Sequence, residues 1–446
     1  MNEFNNQVES KNDNETLIKR SVERAAEIQS EMEKVYEDLH ENPELGGQEV
    51  RTSGKVLKYL ESLGIEVVGK NIGLNREGEK KSQGTGIVAR ISGKKSGPTI
   101  ALRADMDALP ILESKKNPHI SKNDGVMHAC GHDIHTTSLL GATKILKEMA
   151  DKGELDGNVL LLFQPSEEQT YQKESGAVQM VKFLEEQGLR KDINAFFGLH
   201  VMRDMERGNI NVKEGVQLAS SGRIDISLQA KGGHVMNAYK SPNLSSIFSK
   251  IQTKLESVFK PKHDKGEMLV ASTRVDYPKG GANVLPSSAQ SPWVIRITSE
   301  GYKELKQEVI TEIKSVVSEV LKESGQDEVT AAYTVAPGYR PTVHRDKALV
   351  DIAKQTSKDV LGNPTLKEET IMGGEDFNFY MEELRGRQIP GVFMMVGGAN
   401  EKAGIERGDH HTPDFRVDPK VLQEMSAIHA SFVINYFNTI KNQKHD

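Results

Sequence analysis

Hydrophobic periodicity changes character twice along this chain, and the two changes leave few folds open. Up to about Leu199, short apolar runs at residues 65–68, 86–91, 99–104, 159–163 and 195–199 alternate with helical patterns at 16–39, 48–63, 139–149 and 176–187. The string His40-Glu41-Asn42-Pro43-Glu44-Leu45-Gly46 stops the first helix with proline and glycine. Strands that alternate with helices build a layered α/β unit around a largely parallel sheet. Near Gly215 the pattern switches. Ile224-Asp225-Ile226-Ser227-Leu228 alternates strictly, as a half-buried antiparallel strand does, and a helix (244–259), two strands (268–276 and 292–298) and a helix (302–324) follow. Beyond Pro337 and Pro341 the first pattern returns, with a helix from Lys347, a strand at 391–396 and a closing helix at 419–438. A small α+β unit is therefore expected to interrupt a larger α/β sandwich: polar tail 1–15, first part 16–217, insertion 218–335, second part 336–446.

Composition narrows the function classes. The 58 basic and 64 acidic residues leave a net charge of −6, which gives no attraction to a polyanion, so nucleic acid is not expected as a partner. One cysteine forms no internal disulfide and fits a reducing compartment. The polar start, Met1 to Glu15, lacks the apolar stretch of a secretory signal, and no run reaches membrane-spanning length. A cytoplasmic protein without membrane contact is the expectation.

The cysteine, Cys130, stands in Met127-His128-Ala129-Cys130-Gly131-His132-Asp133, directly before a helical pattern. A Cys-x-His pair on a glycine-containing turn aims thiolate and imidazole at one point, and zinc-like ions accept both at about 2.0 to 2.3 Å. An isolated cysteine is more often a buried small hydrophobe, so the other strand ends carry the argument. Glu167 and Glu168 follow the run ending at Phe163, and adjacent carboxylates in an extended segment point to opposite sides, one to a metal and one to its water. His200 follows an apolar run, where it equally suits a satisfied core position. His410-His411-Thr412-Pro413-Asp414-Phe415 offers two more histidines in what reads as a surface loop. Asp105 and Asp107 leave a strand at the same kind of edge, where carboxylates orient ligating histidines. Each signal is weak alone. Their joint occurrence at successive strand ends reads as a hydrolytic metal site.

These strings resemble a known family. His40-x-x-Pro43-Glu44-Leu45, Arg103-Ala104-Asp105-Met106-Asp107-Ala108-Leu109-Pro110, His128-Ala129-Cys130-Gly131-His132-Asp133, Gln164-Pro165-x-Glu167-Glu168, Gly198-Leu199-His200, Gly374-Glu375-Asp376-Phe377 and His411-Thr412-Pro413-Asp414-Phe415 are similar to those of the di-metal amidohydrolases. That family includes hippurate hydrolase, N-acyl-amino-acid amidohydrolases and auxin-conjugate hydrolases, with aminoacylases and glutamate-releasing carboxypeptidases as distant relatives. The resemblance runs in order from about His40 to the last helix.

The resemblance implies Cys130, His132, Glu168, His200 and His411 as ligands of two divalent ions (Mn, Zn, Co or Ni), with Cys130 bridging and Glu167 as the general base. It implies a substrate with an amide bond and a free carboxylate, a nucleophilic water activated by metal, and a lid domain that commonly dimerises. His234, in Gly232-Gly233-His234, resembles a lid histidine that reaches the active site, in some relatives from the partner subunit, and is the candidate oxyanion donor. Asn283 resembles a lid asparagine that contacts substrate. The lid departs from the pattern after His234. Relatives often continue with Pro-His and Asp-Pro, whereas this chain reads Val235-Met236-Asn237-Ala238-Tyr239-Lys240, which bears on substrate identity. His410 occupies a position that is usually apolar. Two other readings stay open: Cys130 as a thiol nucleophile beside a histidine, and a small-molecule-binding protein on a retired hydrolase scaffold. Within the leading chemistry, a dipeptidase or carboxypeptidase is the alternative to an N-acyl-amino-acid hydrolase.

Overall fold

The computed structural model describes residues 2–74, 83–93, 97–168, 175–325 and 328–443. Eight strands form its larger sheet, in the spatial order Glu66–Leu74, Gln83–Ser92, Asn158–Gln164, Thr99–Asp105, Ile193–Glu206, Gly391–Ala399, Asn209–Asn211 and Thr365–Lys367. The central four run parallel to one another, and antiparallel pairings flank them on both sides. Successive side chains on these central strands enter different cores, the period of two that a pleated strand imposes. Leu102, Leu161, Phe197 and Met394 face a layer of helices that includes His132–Asp151 and Val421–Gln443. Ala101, Leu160, Phe196 and Phe393 face the helix Gly176–Glu186 and the short 3-10 turn Asp376–Met381. Burial on both faces is why these strands read as unbroken apolar runs. Phe197 stacks on Phe432 at 3.8 Å between ring centres, and truncating it to alanine would cost about 3–5 kcal/mol.

A second sheet of four antiparallel strands, ordered Met268–Ser272, Ser288–Ile297, Ser220–Gln229 and Thr330–Ala336, carries the helices Leu244–Asp264 and Tyr302–Glu323 on one face. Ile224, Ile226 and Leu228 fill its core, as their alternation requires. All of its strands lie between residues 220 and 336, so the chain leaves the larger unit once and returns once. The two crossings meet: Gly215–Leu218 and Thr342–His344 pair as an antiparallel ladder, Thr342 opposite Leu218.

Several elements differ from the pattern reading: the strand expected at 195–199 runs on to Glu206, so that His200 lies within it, and the strand Thr330–Ala336 is additional. The helix expected at 139–149 begins at His132, because its first turns, His132 to Ser138, are polar yet buried and give no hydrophobic period. The first helical stretch divides at Ile28 into Asn2–Glu27 and Gln29–His40, so the helix starts well before Thr16. The strand from Met268 ends at Ser272. Among the described residues, no helix is long and apolar enough to cross a membrane.

Candidate metal centre

The chemistry-bearing residues gather at the carboxyl ends of the parallel strands, where open α/β sheets hold ligands. Asp105 and Gln164 end their strands side by side in register. Gly131 precedes the His132 helix with φ +87°, a left-handed conformation, and a Cβ there would lie 2.4 Å from Val201 Cγ1. Glycine is therefore required at the turn that sets Cys130 and His132 toward one point. His200 Nδ1–H donates to the Val201 carbonyl at 2.8 Å, which fixes the tautomer and leaves Nε2 as a lone pair 3.5 Å from Cys130 Sγ.

Asp107 organises the opposite side. Its Oδ1 lies 3.3 Å from His132 Nδ1, and its two oxygens accept from the Glu167 and Glu168 N–H groups at 3.0 Å each. His132 Nε2 thereby faces inward, buried and without a hydrogen-bond partner among the described residues. Glu168 Oε1, also buried, forms an ion pair with His411 Nε2 at 3.1 Å and stands 4.0 Å from His132 Nε2. His411, with φ +59°, is held by its N–H on the Ala129 carbonyl at 2.9 Å. Ligand atoms of Cys130, His132 and His200 lie within 4.8 Å of one another, and so do those of Cys130, Glu168 and His411.

Donors around a tetrahedral ion at about 2.0–2.3 Å stand about 3.3–3.8 Å apart. The separations of 3.5, 3.1 and 4.0 Å need adjustments of only a few tenths of an ångström. The buried His132 Nε2, left without a hydrogen-bond partner among the described residues, is an atom a cation would satisfy. The residues present therefore fit a divalent metal site. A naked thiolate does not fit: burial, then the carboxylates of Glu168, Glu167 and Asp105, push the Cys130 thiol well above its ordinary range, whereas a reactive thiol needs a cation beside it.

Negative charge dominates the surroundings. Arg103, fully buried, donates to Asp105 Oδ2 (2.6 Å), Glu375 Oε1 (2.9 Å), Asp376 Oδ1 (2.9 Å) and Gln164 Oε1 (2.9 Å). One guanidinium against that many acids leaves an excess. Burial, then the charges of Glu375, Glu168, Asp376 and Asp107, push the Glu167 carboxyl well above the usual range, the direction expected of a group that exchanges protons near neutrality.

Several participants escape the sequence pattern. His135 Nδ1–H donates to Asp105 Oδ1 (2.6 Å) while its Nε2 accepts from Val201 N–H (2.9 Å), a neutral brace between two strands. Glu49, fully buried, accepts from Ser166 N–H at 2.8 Å. Arg296, on the second sheet, has a buried Nη1 without a partner among the described residues, and its charge bears on His411. The signal for Arg296 was one cation in the apolar run Pro292 to Ile297. His410 Nε2–H donates to the Val201 carbonyl at 3.1 Å, the acceptor that also holds His200. His234 and Asn283 lie elsewhere, exposed on and directly before the short ladder of Gly233–His234 with Val284–Leu285, and no described hydrogen bond or ion pair joins their side chains to the donor cluster. Tyr239 and Lys240 are exposed beyond that ladder.

Comparison with known proteins agrees with this geometry. The chain is 34% identical over 405 residues to N-acetylcysteine deacetylase of Bacillus subtilis (91% of this chain, 96% of the relative). It is 35% identical over 406 residues to IAA-amino acid hydrolase ILR1-like 4 of Arabidopsis thaliana (90% and 85%). Among solved structures, a dinuclear metal-binding peptidase of the M20 family from Bacillus subtilis superposes with a TM-score of 0.69 at 30% identity, over 93% of this chain and 99% of that one. The pattern that defines peptidase family M20/M25/M40 matches residues 101–435, three-quarters of the chain, and the chain belongs to that family of hydrolases.

Proposed function

We propose that this hydrolase cleaves the amide bond of an N-acyl or N-aroyl amino acid, releasing a carboxylic acid and a free amino acid. The observation that carries the reading is the convergence of Cys130, His132, Glu168, His200 and His411, with His132 Nε2 buried and without a hydrogen-bond partner among the described residues. These five side chains would hold two divalent ions, drawn from Mn, Zn, Co and Ni. When bound, such ions polarise an amide carbonyl and acidify water.

Glu167 takes a proton from the attacking water as the C–O bond forms and the carbonyl oxygen becomes an oxyanion; it then returns that proton to the nitrogen as the oxyanion collapses and the C–N bond breaks, so that the amine leaves neutral. Arg296 receives the free carboxylate of the amino-acid half, which supplies the partner that its buried Nη1 lacks. His234 donates to the oxyanion and Asn283 contacts substrate. Their exposed ladder acts in the closed arrangement of the 218–335 unit or in a homodimer formed through it. The single thiol suits a reducing, cytoplasmic setting.

Hydrolysis of hippurate, N-acetyl amino acids and dipeptides by chelator-stripped protein, with and without each metal, tests the reading. Metal-restored release of an amino acid from the acylated substrates supports it. Preference for dipeptides moves the assignment to a dipeptidase or carboxypeptidase, and no metal binding sinks the proposal.

A further inference from the structure

The peptide frame around Glu167 is tied down from three distant parts of the chain. Ser166 N–H donates to Glu49 Oε1 (2.8 Å), and the N–H groups of Glu167 and Glu168 donate to Asp107 (3.0 Å each). The Ser166 carbonyl accepts from Gly176 N–H at 3.2 Å, and the Glu167 carbonyl accepts from the phenol of Tyr339 at 2.8 Å. These bonds hold a main chain that carries strain, because Ser166 sits at φ +53°, a left-handed conformation uncommon outside glycine.

Glu49 and Asp107 belong to the same unit as Glu167, whereas Tyr339 lies on the crossing between units. It is buried in segment 337–341, between the last strand of the smaller sheet, Thr330–Ala336, and the ladder strand Thr342–His344. Its carbonyl accepts from Ser221 N–H, at the start of the smaller sheet's strand Ser220–Gln229, at 2.9 Å. The returning crossing packs backbone to backbone on that strand: a Cβ on Gly338 would lie 1.8 Å from the Ser221 oxygen. The Tyr339 ring meets Phe379 edge-on at 5.9 Å.

A ladder on one side and a four-stranded sheet on the other are stiff, so any swing of the smaller unit must be taken up at the crossings between them. Tyr339 stands in that short stretch with its oxygen on the catalytic loop. We infer that Tyr339 is a positioning residue that ties the general base to the crossing between the two units, so that the orientation of the smaller unit sets the alignment of the Glu167 carboxylate. The inference rests on the role proposed above for Glu167.

Tyr339→Phe removes the phenol oxygen and keeps the ring against Phe379. The expected result is a kcat lower by about tenfold, the effect of one buried hydrogen bond, with KM and metal content unchanged. In a Glu167→Gln background the same substitution should leave the residual rate unaltered, since the group it aligns is gone. Hydrogen exchange of metal-free protein gives a readout independent of turnover: the amides of residues 166–168 exchange faster in Y339F, and those of the Asn158–Gln164 strand do not. Unchanged kcat and unchanged exchange overturn the inference, and so does an equal loss of rate in both backgrounds, which marks a general structural role. Full activity of Glu167→Gln alone instead overturns the general-base reading, while the exchange result still reports whether Tyr339 holds the loop.

Discussion

Replacing His40 by phenylalanine should strip the larger unit of much of its stability at neutral pH, and the loss should vanish in alkali. His40 is buried between two carboxylates, with Nδ1 2.6 Å from Asp133 Oδ2 and Nε2 3.0 Å from Glu113 Oε1. Burial opposes its charge, but the hydrogen bonds and the charges of Asp133 and Glu113 outweigh that and push its pKa up to about 10. The ordinary value is near 6.5, and every tenfold gain in proton affinity on folding is worth ~1.4 kcal/mol, so the full linkage approaches ~5 kcal/mol. Breaking a buried ion pair by removing one partner costs about 3–5 kcal/mol, the same range. Some of this is recovered, because Glu113 keeps Asn117 Nδ2 and Ser121 N–H as donors, both at 2.6 Å, and Asp133 keeps Ile134 N–H. A loss of about 3 kcal/mol at pH 6.5 is the expectation.

The sign follows from the raised folded-state value. Stabilisation is complete below the unfolded pKa near 6.5 and fades as pH rises through about 10, so parent and variant converge at alkaline pH. Urea unfolding of metal-free protein at pH 6.5 and pH 10, followed by far-ultraviolet circular dichroism, measures it. Fluorescence is the wrong probe, since the single tryptophan, Trp293, lies in the core of the smaller sheet. A loss under about 1 kcal/mol at pH 6.5, or a gap that persists at pH 10, would refute the assignment of an imidazolium between two carboxylates.

Other substitutions probe the site directly. Glu167→Gln should keep its metals, as read by elemental analysis, while kcat falls by about 10²- to 10⁴-fold; normal turnover removes Glu167 as the base. Arg296→Ala should raise KM by at least about tenfold for substrates with a free carboxylate and leave amide-capped analogues nearly unaffected; equal effects on both point to a structural role. Asp107→Asn disturbs His132 and the 167–168 amides together and should weaken metal binding by about 10- to 100-fold in a chelator competition, whereas unchanged affinity would show that the neighbouring bonds suffice.

Much of the fold, and the strand-end gathering of the candidate ligands, was legible because both leave local marks. Double burial makes the central strands continuous apolar runs, and candidate ligands stand just past such runs or beside the glycine turn at Gly131. What was hidden depends on long-range partners. The first turns of the His132 helix are polar and buried, so periodicity misses them, and His135 among them looks like any surface residue. Glu49 acts on a backbone group 117 residues away and Tyr339 on one 172 residues away, and no local pattern encodes either bond. Arg296 is visible only as an interruption in an apolar strand, a feature that an outward-facing residue also produces.

The ladder of Gly215–Leu218 with Thr342–His344 also bears on how the chain assembles. The central strands Ile193–Glu206 and Gly391–Ala399 are neighbours in space but distant in sequence, and closing so long a loop slows folding. With its two ends side by side, a smaller unit that folds first acts as a clasp and shortens the loop that remains by roughly threefold. By the logarithmic dependence of closure entropy on loop length, this lowers the cost of joining the two halves of the larger sheet by about 1 kcal/mol. During synthesis the smaller unit is complete before the Gly391–Ala399 strand exists, so the order of translation already favours that route.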